Sequence, residues 1–233
     1  MHPSDQKGQC LICFAPLDDD CALFSLLYHP PICQNCLHRF EATSGNFSVS
    51  KKPLAILYHY NEFFKKVLFN YKGRDDYALK DAFLANHLSR LKKQYASHLV
   101  VIAPSSEPDN SRRGFCPNLA IARTFTNDIF TGITKKHFYK QTSQIRRELV
   151  KDALKIECGD RLWGRKVLIF DDVITSGSTI KAMIGLIMPY QPESVEILVL
   201  ASSHPARFAP DKKRSFHYRL LAALNIKRCK RLD

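Results

Sequence analysis

The segment from Val167 to Thr179 constrains the fold of this chain more than any other part of its sequence. Four consecutive apolar residues, Val167 to Phe170, precede two carboxylates, Asp171 and Asp172. An unbroken apolar run is typical of a central strand in a parallel sheet, which is buried on both faces. We predict that this strand ends at the aspartates, so that both carboxylates lie at its carboxyl edge, where a ligand can bind.

A turn rich in hydroxyl groups follows the aspartates. It consists of Thr175, Ser176, Gly177, Ser178 and Thr179, and a run typical of a helix begins at Ile180. Glycine between small residues lets backbone N–H groups converge, and together with the helix N-terminus they can bind a phosphate. The alternative is an acidic turn with a helix cap from Ser178 or Thr179. The ordered whole favours a ribose phosphate, with Asp171 and Asp172 accepting hydrogen bonds from vicinal hydroxyls and the turn binding the 5'-phosphate.

Short apolar strands alternate with helical stretches along most of the chain. Strands are predicted over residues 54–60, 99–103, 133–139, 167–170 and 195–201, and helices over residues 61–69, 77–95, 118–126, 144–154 and 179–188. This alternation predicts an α/β fold with a mainly parallel sheet flanked by helices. Five aromatic residues near the first helices are expected in the core more often than in stacking with bases: Tyr58, His59, Tyr60, Tyr71 and Tyr77.

Two cysteine pairs precede this domain. Cys10 and Cys13 form one C-x-x-C, Cys33 and Cys36 form another, and nineteen residues separate the pairs. This spacing predicts a small zinc-ribbon-like module whose four thiolates bind a structural zinc ion. Four unrelated buried thiols or a redox pair are the alternatives, and Cys21, His29 and His38 are nearby substitutes as ligands. We place the zinc module at residues 1–50, the main domain at 51–203 and a basic extension at 204–233.

Net charge and the absence of targeting signals bear on the partners and the cellular location expected for this chain. The chain carries 35 basic and 22 acidic residues, a net charge of +13, and many of the basic residues lie in the extension. This surplus favours polyanionic partners, although solubility or protein partners are alternatives. The sequence shows neither a secretory signal nor an apolar stretch long enough to span a membrane. We therefore expect a cytoplasmic protein without membrane insertion, in which any membrane association arises through partners.

Residues 167–179 resemble the phosphoribosyl pyrophosphate motif of the type I phosphoribosyltransferases. The resemblance implies a parallel sheet and a magnesium ion that accompanies phosphoribosyl pyrophosphate. Carried over by position, it assigns Asp171 and Asp172 to the ribose hydroxyls, and it assigns Thr175, Ser176, Gly177, Ser178 and Thr179 to the 5'-phosphate loop. Catalytic residues are not assigned.

The cysteine pairs ahead of such a domain resemble the ComF family, also called ComFC or GntX-like proteins. Residues 70–74, 112–115 and 141–154 resemble further segments of that family, whereas residues 102–106 and Cys116-Pro117 depart from it. Membership implies a late competence protein that handles incoming single-stranded DNA in natural transformation, beside the competence helicase ComFA.

Four basic residues are candidate contacts for pyrophosphate or nucleic acid: Lys72, Arg112, Arg113 and Arg146. A solvated basic side chain is the alternative for each of them. The competing function is a phosphoribosyltransferase that acts on a nucleobase or an amine, which requires an acceptor site that the sequence does not identify. These two functions differ in the ligands that must bind beside the predicted phosphate loop.

Overall fold

The computed structural model describes residues 8–17, 31–135 and 154–210. Within these ranges the strands are β1 Phe47–Val49, β2 Lys52–His59, β3 His98–Ile102, β4 Ile129–Phe130, β5 Ile133–Lys135, β6 Leu154–Ile156, β7 Lys166–Ile174 and β8 Ser194–Ser202. The α-helices are α1 Gln34–His38, α2 Glu62–Gly73, α3 Leu88–Gln94, α4 Glu107–Arg113, α5 Pro117–Ala122 and α6 Ser178–Ile187. Short 3₁₀ helices lie at Tyr77–Asp81, Gly159–Leu162, Met188–Tyr190 and Pro205–Phe208.

The main sheet has the strand order β1-β2-β8-β7-β3-β4. Only β1 pairs antiparallel with its neighbour, and all the other neighbouring strands of this sheet are parallel. Strands β5 and β6 form a separate antiparallel pair. The predicted α/β fold with a mainly parallel sheet is therefore confirmed.

Strand β7 divides the apolar core between the two faces of the sheet. Leu168 and Phe170 belong to a cluster that includes the buried face of α2, whereas Val167 and Ile169 belong to a cluster that includes Met183 of α6. Side chains alternate between the faces of a strand, so an unbroken apolar run packs against helices on both sides. The arrangement places β7 in the interior of the sheet, with apolar packing on both of its faces.

Helix α2 is positioned by its cap and by one apolar face. The Asn61 side chain accepts a hydrogen bond from the Phe64 N–H at 2.8 Å, which closes the N-terminus of the helix. The helix buries residues at helical spacing: Phe63, Phe64, Val67, Leu68 and Tyr71. Tyr71 then donates a hydrogen bond through its hydroxyl to the Pro117 carbonyl of α5 at 2.8 Å. The last turn of α2 and the first turn of α5 are thus joined beside β7.

Three predicted elements differ from the structure. Strand β7 does not end at the aspartates but continues to Ile174, because β8 is long enough to pair with it as far as Ser202. The helix predicted over residues 77–95 is interrupted, since three consecutive residues, Ala82 to Leu84, are all buried and cannot share one face of a helix. The helix predicted over residues 118–126 ends at Ala122.

Other predictions fall partly outside the described ranges. The strand predicted over residues 133–139 is seen as β5, Ile133–Lys135, and its remaining positions lie outside those ranges. Of the helix predicted over residues 144–154, only Leu154 is described, and it lies in strand β6. Tyr58 and Tyr71 are buried, as expected for core residues, whereas His59 is exposed, Tyr60 is partly buried and Tyr77 is 48% exposed.

The cysteine region shares its packing with the main sheet. Cys10, Cys36 and Phe40 belong to the same apolar cluster as Tyr58 and Phe64. Strand β1, which precedes residue 50, pairs with β2 across the predicted boundary. The boundaries at residues 50 and 203 stay predictions. No helix among the described residues combines the length and apolar character needed to cross a membrane.

Candidate phosphate and metal sites

The two aspartates near the carboxyl end of β7 have different partners. Asp172 forms a short ion pair with the Lys72 ammonium from the last turn of α2. Asp171 Oδ1 accepts hydrogen bonds from the Asn118 Nδ2 of α5 at 3.0 Å and from the Asp172 backbone N–H at 2.9 Å. The packing of α2 against α5 thus delivers one cationic and one neutral donor to adjacent carboxylates.

These partners give the two carboxyl groups different pKa values. Burial and the neighbouring Asp172 charge raise the pKa of the Asp171 carboxyl to about 8. Burial also acts to raise the pKa of Asp172, but the Lys72 ammonium outweighs it and holds that pKa below its usual value. Near neutral pH, Asp172 is therefore ionised and Asp171 is poised to change its protonation state.

The hydroxyl-rich turn places Gly177 directly before helix α6. Gly177 has φ +73° and ψ +10°, a left-handed conformation that glycine adopts without strain. The Ser176 Oγ lies 3.0 Å from the Ser178 Oγ and accepts a hydrogen bond from the Ser178 backbone N–H at 3.3 Å. Thr175, Ser176 and Ser178 are exposed. The turn therefore presents hydroxyls together with the first N–H groups of a helix, which have no partners within that helix.

Lys72, Arg112 and Arg113 lie together on one side of the acidic pair. The Arg113 side chain is 9% exposed, and its Nε donates to the Lys72 carbonyl at 2.8 Å and lies 3.5 Å from Asp75 Oδ1. Arg112, which is 55% exposed, pairs with Asp75 Oδ2 at 3.1 Å. Arg113 thus braces the end of α2 rather than extending into solvent. Arg146 lies outside the described residues.

A groove with a volume of about 640 Å³ opens beside these residues, between α2 and α4. Its lining carries five basic side chains, Lys65, Lys66, Lys72, Arg112 and Arg113, and two acidic ones, Glu62 and Asp109. Phe69, which also lines the groove, is 58% exposed. Lys72 belongs both to this groove and to the ion pair with Asp172. The groove is therefore cationic, and Lys72 connects it to the acidic pair.

Four sulfur atoms converge in the N-terminal region. The Sγ atoms of Cys10, Cys13, Cys33 and Cys36 all lie within 4.8 Å of one another, and those of Cys13 and Cys33 are 3.6 Å apart. Tetrahedral Zn–S bonds of about 2.3 Å require sulfur atoms about 3.8 Å apart. The cluster therefore fits a metal ion with four thiolate ligands.

The local chain conformation explains this convergence. Phe14, directly after the first pair, has φ +61°, and its N–H donates to the Cys10 carbonyl at 2.9 Å. Cys33 caps helix α1, and its carbonyl accepts from the Leu37 N–H at 3.0 Å. Burial opposes ionisation of the Cys10 thiol, but backbone N–H groups, first those of Cys13 and Cys33, outweigh it and lower its pKa to about 6. Two tight turns thus aim their thiols at one point.

Of the substitute ligands, His38 is exposed on α1 and lies outside the four-sulfur cluster, whereas Cys21 and His29 fall outside the described residues. Sequence reasoning missed Asn118, which is only 3% exposed and whose Oδ1 has no hydrogen-bond partner among the described residues. The available signal was a polar residue at the start of an otherwise apolar helix, because a buried amide needs partners.

The sequence model of the phosphoribosyl transferase domain matches residues 91–228. The chain belongs to this family. The matched range includes β3, β7, β8 and the hydroxyl-rich turn at residues 175–179, and it begins after the cysteine cluster and α2. Both the Lys72 ammonium and the four thiols are thus contributed by residues that precede the match to the phosphoribosyltransferase family.

Individual relatives are distant. The chain is 21% identical over 203 residues to competence protein ComFC of Bacillus subtilis strain 168, covering 73% of this chain and 85% of that protein, and is in this sense ComFC-like. A hypoxanthine phosphoribosyltransferase from Staphylococcus aureus is 17% identical with a TM-score of 0.37, over 56% of this chain and 66% of that one. A purine phosphoribosyltransferase from Pyrococcus horikoshii is 18% identical with a TM-score of 0.34, over 52% and 73%.

Proposed function

We propose that this protein binds a 5'-phosphorylated ribose of the phosphoribosyl pyrophosphate class at residues 171–179 and handles single-stranded DNA in natural transformation. The observation that carries the first part is the order of groups at the carboxyl end of β7. Two carboxylates, an exposed hydroxyl turn with Gly177 in the left-handed conformation, and the start of α6 follow one another. Ligands of parallel α/β sheets bind at the carboxyl ends of the strands.

Each part of the site suits a different part of this ligand. Asp171 and Asp172 accept hydrogen bonds from the vicinal ribose hydroxyls, and the turn donates N–H and hydroxyl groups to the 5'-phosphate. The Lys72 ammonium, which pairs with Asp172, can transfer its interaction to a pyrophosphate group. A magnesium ion bound with the ligand would supply charge neutralisation of the pyrophosphate, and carboxylate oxygens are ligands that it prefers.

The test is a calorimetric titration of the full-length protein with phosphoribosyl pyrophosphate and magnesium. The double variant Asp171→Asn with Asp172→Asn keeps the shape of both side chains and removes their charge. We expect it to lose binding while its thermal unfolding stays cooperative. The matched control is Asp160→Asn, a change in the 3₁₀ helix before β7. Unchanged affinity of the double variant would refute the site.

The cationic groove supports the second part of the proposal. Its five basic side chains outnumber its two acidic ones, and Phe69 offers an exposed ring to a base. The net charge of +13 adds a general attraction to polyanions. The similarity to a competence protein motivates the assignment to DNA uptake, in the cytoplasm and beside the helicase ComFA. Single-stranded DNA fits because its bases are free to stack.

The test for DNA uses fluorescent single-stranded oligonucleotides at two salt concentrations. Lys65→Ala with Lys66→Ala removes two exposed lysines of the groove, and Lys92→Ala with Lys93→Ala removes two adjacent exposed lysines of α3. We expect only the groove variant to flatten the salt dependence of binding, by about 0.7 in the logarithmic slope for each phosphate that the variant no longer neutralises. Equal effects of both variants would assign binding to net charge alone.

The alternative function is transfer of the ribose phosphate to a nucleobase or an amine. The carboxylate pair and the turn support this function as well as the first one, because both functions require binding of the same ribose phosphate. Release of pyrophosphate on addition of an acceptor would establish this enzyme. If phosphoribosyl pyrophosphate binds but no tested nucleobase or amine causes release of pyrophosphate, the result favours a binding role in DNA uptake.

A further inference from the structure

The residues that follow β8 return to the hydroxyl-rich turn at residues 175–179. Arg207, in the 3₁₀ helix Pro205–Phe208, donates from Nη1 to the Thr175 carbonyl at 3.3 Å. The next residue, Phe208, lies under the turn, since a Cβ built on Gly177 would be 3.2 Å from the Phe208 Cε1. The start of the basic extension therefore contacts two residues of the turn, Thr175 and Gly177.

The position of this short helix is fixed by its surroundings. Phe208 is 5% exposed and belongs to the apolar cluster of Val49, Ile56 and Ile180. The Arg207 N–H donates to the His204 carbonyl at 3.1 Å, and the His204 N–H donates to the Ser202 Oγ at 3.2 Å. The guanidinium of Arg207 consequently extends from an anchored backbone.

The chemistry of the turn leaves a role for a cation. Residues 175–179 carry no charged side chain that could neutralise a bound phosphate. Negative charge on the neighbouring Asp171 and Asp172 would repel that phosphate. Arg207 has five N–H donors, and its hydrogen bond to Thr175 engages one of them. Guanidinium groups bind phosphate oxygens through pairs of N–H donors.

We infer that Arg207 is a phosphate-binding residue, which contacts the 5'-phosphate ester held by the turn. The first residues of the extension are then part of the ligand site, and Phe208 sets the position of Gly177 from beneath. This inference rests on the proposed binding of a phosphorylated ribose. It predicts that the contribution of Arg207 depends on whether the ligand has a 5'-phosphate.

The experiment compares three probes, each with magnesium: ribose 5-phosphate, phosphoribosyl pyrophosphate and inorganic pyrophosphate. We expect Arg207→Ala to weaken binding of the first two by about tenfold, which is the usual size of one exposed hydrogen bond to a charged group. Binding of pyrophosphate, which has no 5'-phosphate, stays unchanged. Arg207→Lys keeps the charge and retains part of the affinity.

The matched control is Arg161→Ala, which removes an exposed arginine from the 3₁₀ helix at the other end of β7. Equal affinities of wild type and Arg207→Ala for ribose 5-phosphate overturn the inference alone. Equal weakening of all three probes also overturns it, because Arg207 would then act only on the shape of the site. Failure of the wild-type protein to bind either ribose ligand overturns the proposed function and this inference together.

Discussion

The cysteine cluster and the hydroxyl-rich turn obtain their geometry in opposite ways. The cluster consists of two short turns beside one five-residue helix, although Cys10 and Cys36 also pack against the apolar cluster of the main sheet. The hydroxyl-rich turn connects β7 with α6, two long elements of regular structure that are both packed into the core. We therefore expect the cluster to depend on its metal for its fold, whereas the turn exists before its ligand arrives. The two proposed sites should therefore respond oppositely to loss of their ligands.

Removal of the metal is the strongest test of this contrast. Zinc bound by four thiolates contributes on the order of 10 kcal/mol to folding of a small module. We expect about one zinc per chain by metal analysis, and we expect Cys36→Ser or a strong chelator to abolish hydrogen-exchange protection around residues 8–17 and 31–38. Protection of β7 and β8 should persist.

Cys158→Ser is the matched control, because Cys158 is an exposed free thiol outside the cluster. It should leave both the zinc content and the protection pattern unchanged. An N-terminal region that stays folded without metal would remove the contrast between the two sites.

Gly177→Ala tests whether the turn is preformed by its backbone. An alanine at φ +73° adds left-handed strain, and its Cβ would lie 3.2 Å from Phe208, so we expect a loss of about 1–2 kcal/mol in unfolding free energy and weaker ligand binding. Alanine substitutions at two other glycines distinguish left-handed strain from the contact with Phe208. Gly164, at φ +62° with open space, tests strain alone, and Gly185, inside α6 with open space, should tolerate or favour alanine. A neutral Gly177→Ala would contradict the preformed turn.

Asp171 provides a test through pH. Its raised pKa of about 8 means that the folded protein binds a proton that the unfolded chain releases near pH 4, so this group makes stability fall as pH rises between these values. We expect Asp171→Asn to gain at least 1 kcal/mol relative to wild type over that interval, since one pKa unit corresponds to about 1.4 kcal/mol. The measurement is urea unfolding at pH 5 and pH 8. A gain that is equal at both values would show that Asp171 keeps an ordinary pKa.

The same titration affects the ligand. The ionised carboxylate accepts hydrogen bonds from ribose hydroxyls and binds magnesium better than the protonated acid, so affinity for ribose 5-phosphate with magnesium should rise as pH approaches 8. In Asp171→Asn this part of the pH dependence should be absent.

Asn118→Ala has the smallest expected effect. The change removes a hydrogen bond to Asp171 Oδ1, but it also removes a buried oxygen that has no partner among the described residues. The lost hydrogen bond destabilises the fold, and removal of the unpartnered oxygen stabilises it. Because these effects offset each other, we expect a change in unfolding free energy below about 1 kcal/mol. Urea unfolding measures it. A loss of several kcal/mol would indicate that the amide organises the acidic pair more than its hydrogen bonds suggest.

Much of this architecture was predictable from local patterns. The apolar run of β7, the acidic pair and the glycine turn are contiguous, and a doubled C-x-x-C is its own signal, so periodicity and spacing were sufficient. The partners of the aspartates were harder to find. Lys72 and Asn118 lie 100 and 53 residues from Asp172 and Asp171, and only the packing of α2 against α5 brings them together. Lys72 was a candidate for binding an anion, and its ion pair with Asp172 had no local signature.

The strand order of the main sheet has a consequence for the newly synthesised chain. Strand β2 pairs with β1 on one edge and with β8 on the other, and β8 is synthesised long after β2. The cysteine pairs, in contrast, are complete once residue 36 has left the ribosome. Metal capture can therefore precede formation of the sheet, and β2 must wait with an exposed apolar edge, a period when chaperone binding would protect it from aggregation.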